Sequence, residues 1–498
     1  MLHLKSSFLQ FLLLAFNILT FVAFPFTSAE TVDYKNIKNA KGDKLPNFSF
    51  CGYHASEVAL PAIDRKAAKT LKPGTGDQSA AIQAAINEVY KAGGGVVALE
   101  AGTYKISPGL LILNSTTLRG AGTGSTILTV DSLSDDIFTM GNQTSKGKAI
   151  KTALITDDYV PVGTGTVHVD DASGFAVGQT VFVQRAVTAK WVAAQGMNDL
   201  NRNDAPQTWI KPGTLVQQPR RIKSMNGKAI SVDVPLTDSI DSTYMTGQLV
   251  AYTPPSQPSE MGLENLSIKL SPTCSGVILT STNCTSAAIS VSEWTTDSWV
   301  RNLDLTGFNN FVSVGYNASR ITLTDIRMTR DGATDGGAGY ALDIAVTGTQ
   351  VLVANCATLG AADTRSYAVA TKTLTPGPNA VLGYYVEQAV ESIEPHERWA
   401  HGFLVENSTT ASVLLRNRGT AGSGHGWSVN QGVAWNVNAH TLTIESPPLG
   451  ENFCIGCVGQ VETGSNGTFI SSGALVDPPS LYAAQLADRG FDASKLGL

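Results

Sequence analysis

The chain has 498 residues, of which 43% are hydrophobic and 15% are charged, and its net charge is −6 at pH 7. It contains no run of basic residues, which argues against a nucleic-acid-binding surface. Beyond the apolar run at the N-terminus, no segment is apolar enough to span a membrane. Length alone predicts roughly two to four domains, unless the chain folds as one elongated β-solenoid.

Residues 1–29 have the features of a secretory signal peptide. A basic start at His3 and Lys5 precedes a long apolar run and the small residues Thr27, Ser28 and Ala29, which resemble a cleavage site. An uncleaved anchor is the alternative, although no basic stop-transfer cluster follows the run. We therefore expect a secreted, extracellular protein without membrane contact after signal cleavage. Eight Asn-x-Ser/Thr sites agree with a glycoprotein.

The chain contains six cysteines, and an even number suits an oxidising compartment. Cys274 and Cys284 are close enough in sequence to close a local loop by a disulfide. Cys454 and Cys457 could form a second, tight disulfide. No further Cys/His pair accompanies them at zinc-finger spacing, so we predict no zinc site there.

A helix is predicted between Asp77 and Gly93. Asp77 is a good N-cap, apolar residues recur at helical spacing from Ala81 to Val89, and Gly93 ends the run. The following GGVVALEAGTYKIS and GLLILNSTTLRGAGTGSTIL are short β-like segments separated by Gly, Asn and Thr turns. Residues 30–154 are therefore predicted as an N-terminal cap and the first coils of a sheet-rich body.

Residues 155–255 interrupt this pattern. TVHVDDASGFAVGQTVFVQRAV and RRIKSMNGKAISVDVPL predict a small antiparallel β unit with a turn at Asn226 and Gly227. The segment between them carries Trp191 and Trp209. We interpret this range as an inserted β subdomain beside the main body.

From residue 256 to 475, short apolar strands recur without helices between them. They are predicted at 300–305, 321–328, 351–359 and 380–389. This spacing is too long for hairpins and favours the stacked coils of a parallel β-solenoid. Asparagines near the turns tolerate left-handed backbone and can stack; these are Asn302, Asn309, Asn310 and Asn355. Residues 476–498 are predicted as a C-terminal tail, and the protein as a monomer.

The stretch from Asp77 to Gly124 resembles the N-terminal cap and first coils of the pectate-lyase-like superfamily of right-handed parallel β-helix proteins, through its capping helix, GGGVVALEAGTY and TTLRGAG. The resemblance implies an all-β fold, a single-stranded β-solenoid with an N-terminal capping helix and a small inserted β subdomain. It also implies a secreted carbohydrate-active protein with a polysaccharide substrate. It does not decide the activity, because that superfamily contains polysaccharide lyases, glycoside hydrolases and proteins without catalysis.

The segment IEPHERWAHGF, residues 393–403, concentrates charge and histidine in a weakly charged chain. If it is a strand, Glu394, His396 and Arg398 form one outward row, while Trp399 and His401 point inward. A charged row cannot be buried unpaired, so we expect it to face water or a polar ligand. The alternative is that these residues form surface ion pairs and bond turn carbonyls, with the tryptophans as core.

One coil later, RNRGTAGSGHGWSV brings a second polar group. Neighbouring coils stack at about 4.8 Å, so His425 is expected beside the row that contains His396. The predicted catalytic residues are His396, Arg398 and His425. The predicted substrate-binding residues are Glu394, Arg365, Arg416, Arg418, Trp399 and Asn430.

The leading hypothesis is a polysaccharide lyase that cleaves a uronate-containing, pectin-like glycan by β-elimination. Arg398 would neutralise the uronate carboxylate through bidentate contact, and His396 or His425 would remove the adjacent proton. The resemblance makes Ca²⁺ a possible cofactor, but no metal ligand is assigned. The acidic candidates match no defined calcium loop; they are Asp325, Asp331, Asp335 and Asp343.

Two other functions remain open. GSGHGWSV is similar to the Gly-His-Gly block of the polygalacturonase family, an inverting glycoside hydrolase, for which Asp331 and Asp335 are the alternative catalytic acids. The paired Asp-Asp and Arg-Ile-Lys segments of that family are missing at the expected places. A non-catalytic carbohydrate-binding protein would instead use stacking aromatics; the candidates are Trp191, Trp209, Tyr384 and Tyr385.

Overall fold

The computed structural model describes residues 29–142, 145–274, 284–330, 332, 341–360, 366–387 and 392–496. Most of them build a β-helix, in which strands of successive coils pair in parallel. The predicted all-β parallel β-helix is thus confirmed. Its strands lie on three faces, called here the long face, the second face and the third face.

The long face joins twelve strands in coil order. They are Ala67–Leu71, Gly95–Leu99, Thr116–Arg119, the first parts of Gly262–Leu270, Thr296–Thr306 and Ser319–Arg330, and then Leu352–Ala354, Asn379–Leu382, Ala400–Glu406, Val429–Trp435, Phe453–Ile455 and Thr468–Ile470.

The other two faces are made of shorter strands. The second face contains Gly102–Lys105, Thr126–Val130, the second parts of the three long strands, Ala357–Gly360, Tyr385–Val386, the starts of Thr409–Leu415 and Asn438–Ile444, and Val458–Val461. The third face contains Leu110–Ile112, Phe138–Met140, Ala287–Val291, Asn310–Val314, Ala341–Val346, Ser366–Thr371, Ser392–Ile393 and the ends of Thr409–Leu415 and Asn438–Ile444. Apolar side chains from all three faces fill the interior.

Helix α1, Ser79–Lys91, packs Ile82 and Ile86 onto the first coils, as the apolar spacing predicts. The predicted N-cap is wrong by one residue, because the cap is Gln78. Asp77 instead bridges to the next coil: its carboxylate accepts hydrogen bonds from the Ser79 amide at 2.8 Å and from the Ser107 hydroxyl at 2.6 Å.

Left-handed residues form a ladder at the corner between the long and second faces. In successive coils this position is held by Asn265, Asn302, Asp325, Asn355, Gly383, Asn407, Asn436 and Gly456. Asparagine, aspartate and glycine are the residues that accept positive φ most readily. The prediction is therefore confirmed for Asn302 and Asn355. Asn309 and Asn310 do not have left-handed backbone: Asn309 lies just before a third-face strand and Asn310 begins it.

The inserted unit is a six-stranded antiparallel sheet with its own apolar core. Its strand order is Thr166–His168, Ala229–Val232, Leu215–Asn226, Thr180–Ala186, Gly247–Thr253 and Lys148–Leu154. Two separate strand pairs accompany this sheet: Tyr159–Val160 pairs with Ile240–Asp241, and Asn201–Arg202 pairs with Ala205–Pro206. Helix α2, Ala189–Ala194, places Trp191 beside Trp209 and Trp399. This tryptophan cluster joins the inserted unit to the β-helix.

The terminal segments cover the outside of the long face. Glu30–Thr31 pairs in parallel with Val476–Asp477, and helix α3, Leu481–Asp488, packs beside a short helical turn at Phe48–Phe50. Further 3-10 turns lie at Tyr34–Asn36, Tyr53–Ser56 and Ala493–Leu496. Within the described part of the chain, no helix has the length and apolarity required to cross a membrane.

Both predicted disulfides are present. Cys274 is bonded to Cys284, and Cys454 is bonded to Cys457. The remaining cysteines, Cys51 and Cys356, are free and buried, and burial raises the pKa of each thiol. Neither thiol therefore has the thiolate character that a reactive cysteine requires.

Candidate functional site

Residues 394–399 connect two faces and do not form part of a strand. The third-face strand Ser392–Ile393 ends before them, and the long-face strand resumes at Ala400. Arg398 and Trp399 both have left-handed backbone, with φ of 50° and 59°. The predicted outward row is therefore wrong: side chains do not alternate across a corner, and Glu394 and His396 are only 1% and 9% exposed.

Two arginines surround the buried Glu394 carboxylate. Nε and a terminal nitrogen of Arg416 each lie 3.0 Å from its Oε1 atom, and Nε of Arg418 lies 3.4 Å from the same oxygen. Ser392 donates its hydroxyl to Oε2 at 3.2 Å. A buried charge needs such partners, so Glu394 holds two arginines of the next coil in place.

Arg418 also fixes the state of His396. Its guanidinium donates to Nδ1 of His396 at 2.9 Å and to the backbone carbonyl of the same residue at 2.8 Å. Because a guanidinium only donates, the neutral imidazole carries its proton on Nε2. Burial and the charge of Arg418 lower the pKa of His396 to about 3. His396 is therefore uncharged at neutral pH.

His425 lies across from His396, with ring centroids 4.8 Å apart and planes at 90°. Its Nδ1 lies 3.5 Å from a carboxylate oxygen of Glu397. That carboxylate also accepts from Arg398 at 3.0 Å, and Arg398 donates to the Ser423 hydroxyl at 2.5 Å. Burial and the charge of Arg418 lower the pKa of His425 to about 4.

The loop between the strands Thr409–Leu415 and Val429–Trp435 contains His425 and folds back over its ring. Gly422, with φ of +56°, is so close to Nε2 of His425 that a Cβ atom there would collide with the ring. The inserted unit holds this loop, because Arg202 and Gln207 both donate to the Gly422 carbonyl, at 3.0 and 2.9 Å. The inserted unit thus reaches the edge of the polar cluster, which consists of Glu394, His396, Glu397, Arg398, Arg416, Arg418 and His425.

His396, Glu397 and His425 offer ligand atoms within 4.8 Å of one another, a donor set that could suit a transition metal. The surroundings do not fit a cation. Nδ1 of His396 already accepts from Arg418, and burial together with the charges of Arg418 and Arg398 lowers the pKa of both imidazoles. The same positive potential favours an anion.

The predicted calcium candidates do not form a shared site as far as the structure describes them. Asp325 occupies a left-handed corner and is exposed. Asp343 is fully buried, lies 2.7 Å from Arg330, and accepts from the Thr358 and Ser366 hydroxyls. Asp331 and Asp335 lie outside the described residues, as does the predicted substrate-binding residue Arg365.

Two further predicted substrate-binding residues lie in the interior. Trp399 is 1% exposed, and its indole N–H donates to Asp238 at 2.9 Å. Asn430 is buried in the long face, where its side-chain oxygen accepts from the Glu451 amide at 3.1 Å. They fail as groove residues because one joins the tryptophan cluster and the other satisfies a backbone N–H. The structure brings the other members together: Glu394, His396, Arg398, Arg416, Arg418 and His425.

Sequence reasoning missed Tyr367 and gave Glu397 no role. Tyr367 reaches the cluster from the preceding coil: its ring lies 5.1 Å from that of His396, and its hydroxyl accepts from Arg418 at 3.4 Å. No local pattern around Tyr367 signals this contact. Glu397 could have been found, because a carboxylate next to a histidine-rich segment is a common orienting group.

The structure also contains a second polar cluster under the N-terminal segment. The Tyr53 hydroxyl donates to the Glu260 carboxylate at 2.6 Å, and Nε2 of His54 lies 2.8 Å from the same carboxylate. Arg320 donates two hydrogen bonds to Asp297, at 2.6 and 2.8 Å. Glu260, Asp297 and Arg320 lie at left-handed corners at the start of the long face. Because these groups pair with one another, we assign them to packing of the N-terminal segment.

Comparison with known proteins agrees with this architecture. Residues 69–204 match the family model described as "Rhamnogalacturonase A/epimerase, pectate lyase-like". The resemblance to the pectate-lyase-like superfamily is confirmed. The matched range covers helix α1, the first coils and part of the inserted unit, and it ends before the polar cluster.

Two mannuronan C5-epimerases of Azotobacter vinelandii, AlgE5 and AlgE2, are each 43% identical to the chain over 75 residues, which make up 14% of this chain and 8% of theirs. The match thus spans a small part of those relatives. Among solved structures, the A-module of the A. vinelandii mannuronan C-5 epimerase AlgE6 is 10% identical with a TM-score of 0.31, over 82% of this chain and 97% of that module. A tailspike protein of E. coli bacteriophage HK620 is 10% identical with a TM-score of 0.42, over 81% of this chain and 59% of the tailspike.

Proposed function

We propose that this protein is a secreted, monomeric enzyme that acts on a uronate-containing glycan such as pectin, as a polysaccharide lyase. The observation that carries the proposal is the polar cluster itself. Guanidinium groups of Arg398 and Arg418 lie beside two histidines that are uncharged at neutral pH, and Arg416 joins the cluster through Glu394. Fixed positive charge beside a proton acceptor is what β-elimination next to a carboxylate requires.

Arg398 and Arg416 are the groups that would bind the uronate carboxylate. Their side chains are 18% and 33% exposed, whereas that of Arg418 is only 8% exposed. A guanidinium has five N–H donors in a planar fork, so an arginine that contacts one protein carboxylate retains donors for another. Binding the substrate carboxylate would stabilise the negative charge that develops when the adjacent proton leaves.

His425 is the better candidate for the base. Nδ1 of His396 is committed to Arg418, whereas Nδ1 of His425 faces the Glu397 carboxylate. That carboxylate favours a proton on Nδ1 and leaves Nε2 of His425 as the acceptor. A bound uronate carboxylate would offset the arginine charges that lower the pKa of His425, and would so make His425 a stronger base when substrate is present.

The test is an assay of the purified protein on pectic, alginate and glucuronan polymers, with and without calcium or a chelator. Ultraviolet absorbance of unsaturated uronates is followed together with reducing ends. We expect both to rise, and we expect His425→Ala to lower the rate about 100-fold or more, as loss of a general base does. Arg398→Ala should raise KM as well as lower kcat.

Matched controls are His440→Ala and Arg327→Ala, which remove an exposed histidine and an exposed arginine outside the cluster. Both should keep the parent rate. Reducing ends without new absorbance would contradict elimination and favour a glycoside hydrolase. Polymer binding without either signal would contradict chain cleavage and leave two functions, a non-catalytic carbohydrate-binding protein and an epimerase.

The identity to mannuronan C5-epimerases favours a second candidate, epimerisation at uronate C5. Epimerisation begins with the same proton removal, and the proton then returns on the opposite face of the sugar. In deuterated water this activity would place deuterium at C5 without cutting the chain. Proton NMR of the recovered polymer separates the two outcomes, because a lyase produces unsaturated ends.

A further inference from the structure

A cavity of about 220 Å³ lies where the N-terminal segment, the inserted unit and the β-helix meet. Its wall includes Trp191 and Tyr244 of the inserted unit and Trp399 of the β-helix. Arg398 and Trp399 are neighbours in sequence, but their side chains lie in different sites. Arg398 contacts Glu397 and Ser423 in the polar cluster, whereas Trp399 lines this cavity. The cavity is therefore distinct from the proposed active site.

One N–H donor in the wall, a terminal nitrogen of Arg185, lacks a hydrogen-bond acceptor among the described residues. Arg185 is paired with Asp238, with Nε 2.6 Å from one carboxylate oxygen and a terminal nitrogen 3.3 Å from the other, and both side chains are 2% exposed. Within the described part of the chain, the other terminal nitrogen of Arg185 is buried and has no hydrogen-bond acceptor. The guanidinium carbon of Arg185 lies 4.4 Å from the centroid of the Trp191 ring, a contact that Arg185 makes in addition to the one with Asp238. Buried N–H groups nearly always have an acceptor, so a ligand oxygen bound in the cavity would supply the one that this donor lacks.

The charge of the wall argues against an anionic ligand. Arg185 is neutralised by Asp238, and Lys41 is paired with Asp241 at 2.7 Å. Asp43 is a further carboxylate in the wall, and the Tyr159 hydroxyl donates to it at 2.7 Å. The wall thus has more carboxylates than cations, and its carboxylate oxygens suit the hydroxyl groups of a neutral ligand.

Much of the remaining wall is aromatic or apolar. Trp191 and Trp399 pack edge to face with ring centroids 4.8 Å apart, and Tyr159 and Tyr244 contribute further ring surface. Apolar and aromatic walls with a few placed polar groups are typical of small-molecule sites. The volume is below the roughly 300–1,000 Å³ of sites for drug-sized ligands. It therefore suits one small ring.

We propose that this cavity binds a single neutral sugar residue. The sugar hydroxyls would accept from Arg185 and donate to the carboxylates, and the ring would lie against the aromatic wall. Such a site would recognise an uncharged residue at an end or branch of a glycan. It does not depend on catalysis at the polar cluster.

The test is a tryptophan-fluorescence titration of the full chain with D-galactose, D-glucose, L-rhamnose and D-galacturonate, because Trp191 and Trp399 line the cavity. We expect a saturable change with at least one of the neutral sugars. Tyr244→Ala and Asp241→Asn should each weaken it about tenfold or more. His425→Ala should leave it unchanged, which separates this result from the fate of the proposed activity.

Controls remove the same groups elsewhere. Asp171→Asn breaks an exposed ion pair with Lys151 on the inserted unit, and Tyr90→Ala removes an exposed ring from helix α1. Both should bind like the parent, and circular dichroism should show that all variants are folded. The proposal is overturned by saturation with galacturonate alone, by no saturable signal with any neutral sugar, or by equal binding in the cavity variants.

Discussion

Gly422 is the residue whose replacement would report most directly on His425. It lies in the loop over the imidazole, and a Cβ atom there would collide with Nε2. Gly422→Ala should displace the ring from Glu397 and from the neighbouring His396. We expect activity on a uronate polymer to fall at least tenfold, with kcat affected more than KM because Arg398 and Arg416 remain.

Gly419 provides the control for backbone strain. It has left-handed backbone in the same loop, with φ of +49°, and a Cβ atom there would meet nothing within 4 Å. Both alanine variants carry a strain of about 1–2 kcal/mol, so only the contact with His425 distinguishes them. Equal losses of activity in the two variants would show that loop strain, and not the position of the ring, controls the rate.

At the scale of the element, the corner ladder shows how single side chains set the path of the coils. Asn302 has φ of 52°, and its amide donates to the side-chain oxygen of Asn265 in the coil before. Asn302→Gly keeps the backbone but removes this bond, and should lower the free energy of unfolding by about 1 kcal/mol. Asn302→Ala adds left-handed strain, for a total of about 2–3 kcal/mol. Urea unfolding measures both, and a larger loss in the glycine variant would contradict this account.

The same elements show what the sequence can and cannot predict. Apolar spacing identified helix α1 and the strands around 300–305 and 321–328, because each face of the β-helix imposes a regular burial pattern. The stacking of coils also placed His425 near His396. The segment 394–399 was misread as a strand because Arg398 and Trp399 adopt positive φ, for which neither residue type has a preference.

Contacts between distant segments were also beyond sequence reasoning. Nothing local to Trp399 shows that its indole N–H meets Asp238 of the inserted unit, or that Arg185 stabilises the same carboxylate. These contacts depend on how the inserted unit is placed against the β-helix. That placement follows from the whole fold and leaves no periodic signal in the chain.

For the whole molecule, buried histidines should make stability fall in acid. Burial is the main cause that lowers the pKa of His396 to about 3 and those of His401 and His425 to about 4, from an ordinary value of 6.5. Between pH 6.5 and 4 the unfolded chain therefore binds more protons than the folded one, and stability is lost as pH falls. Urea unfolding from pH 7 to pH 4.5 should show this decline. His401→Gln should reduce its slope, and an unchanged slope would contradict the role of His401.

Glu406 should act in the opposite direction, because burial under helix α3 raises its pKa to about 7 from 4.5. Between pH 4.5 and 7 the folded chain keeps a proton that the unfolded chain releases, so this contribution to stability is lost as pH rises. Relative to the parent, Glu406→Gln should gain up to about 3 kcal/mol of unfolding free energy across that window. Glu57→Gln is the matched control: it removes an exposed carboxylate that pairs with Arg489 in the same terminal segments. An equal gain in that control would attribute the effect to net charge. A gain confined to Glu406→Gln would show that the carboxyl group beneath helix α3 controls how strongly the terminal segments stabilise the long face.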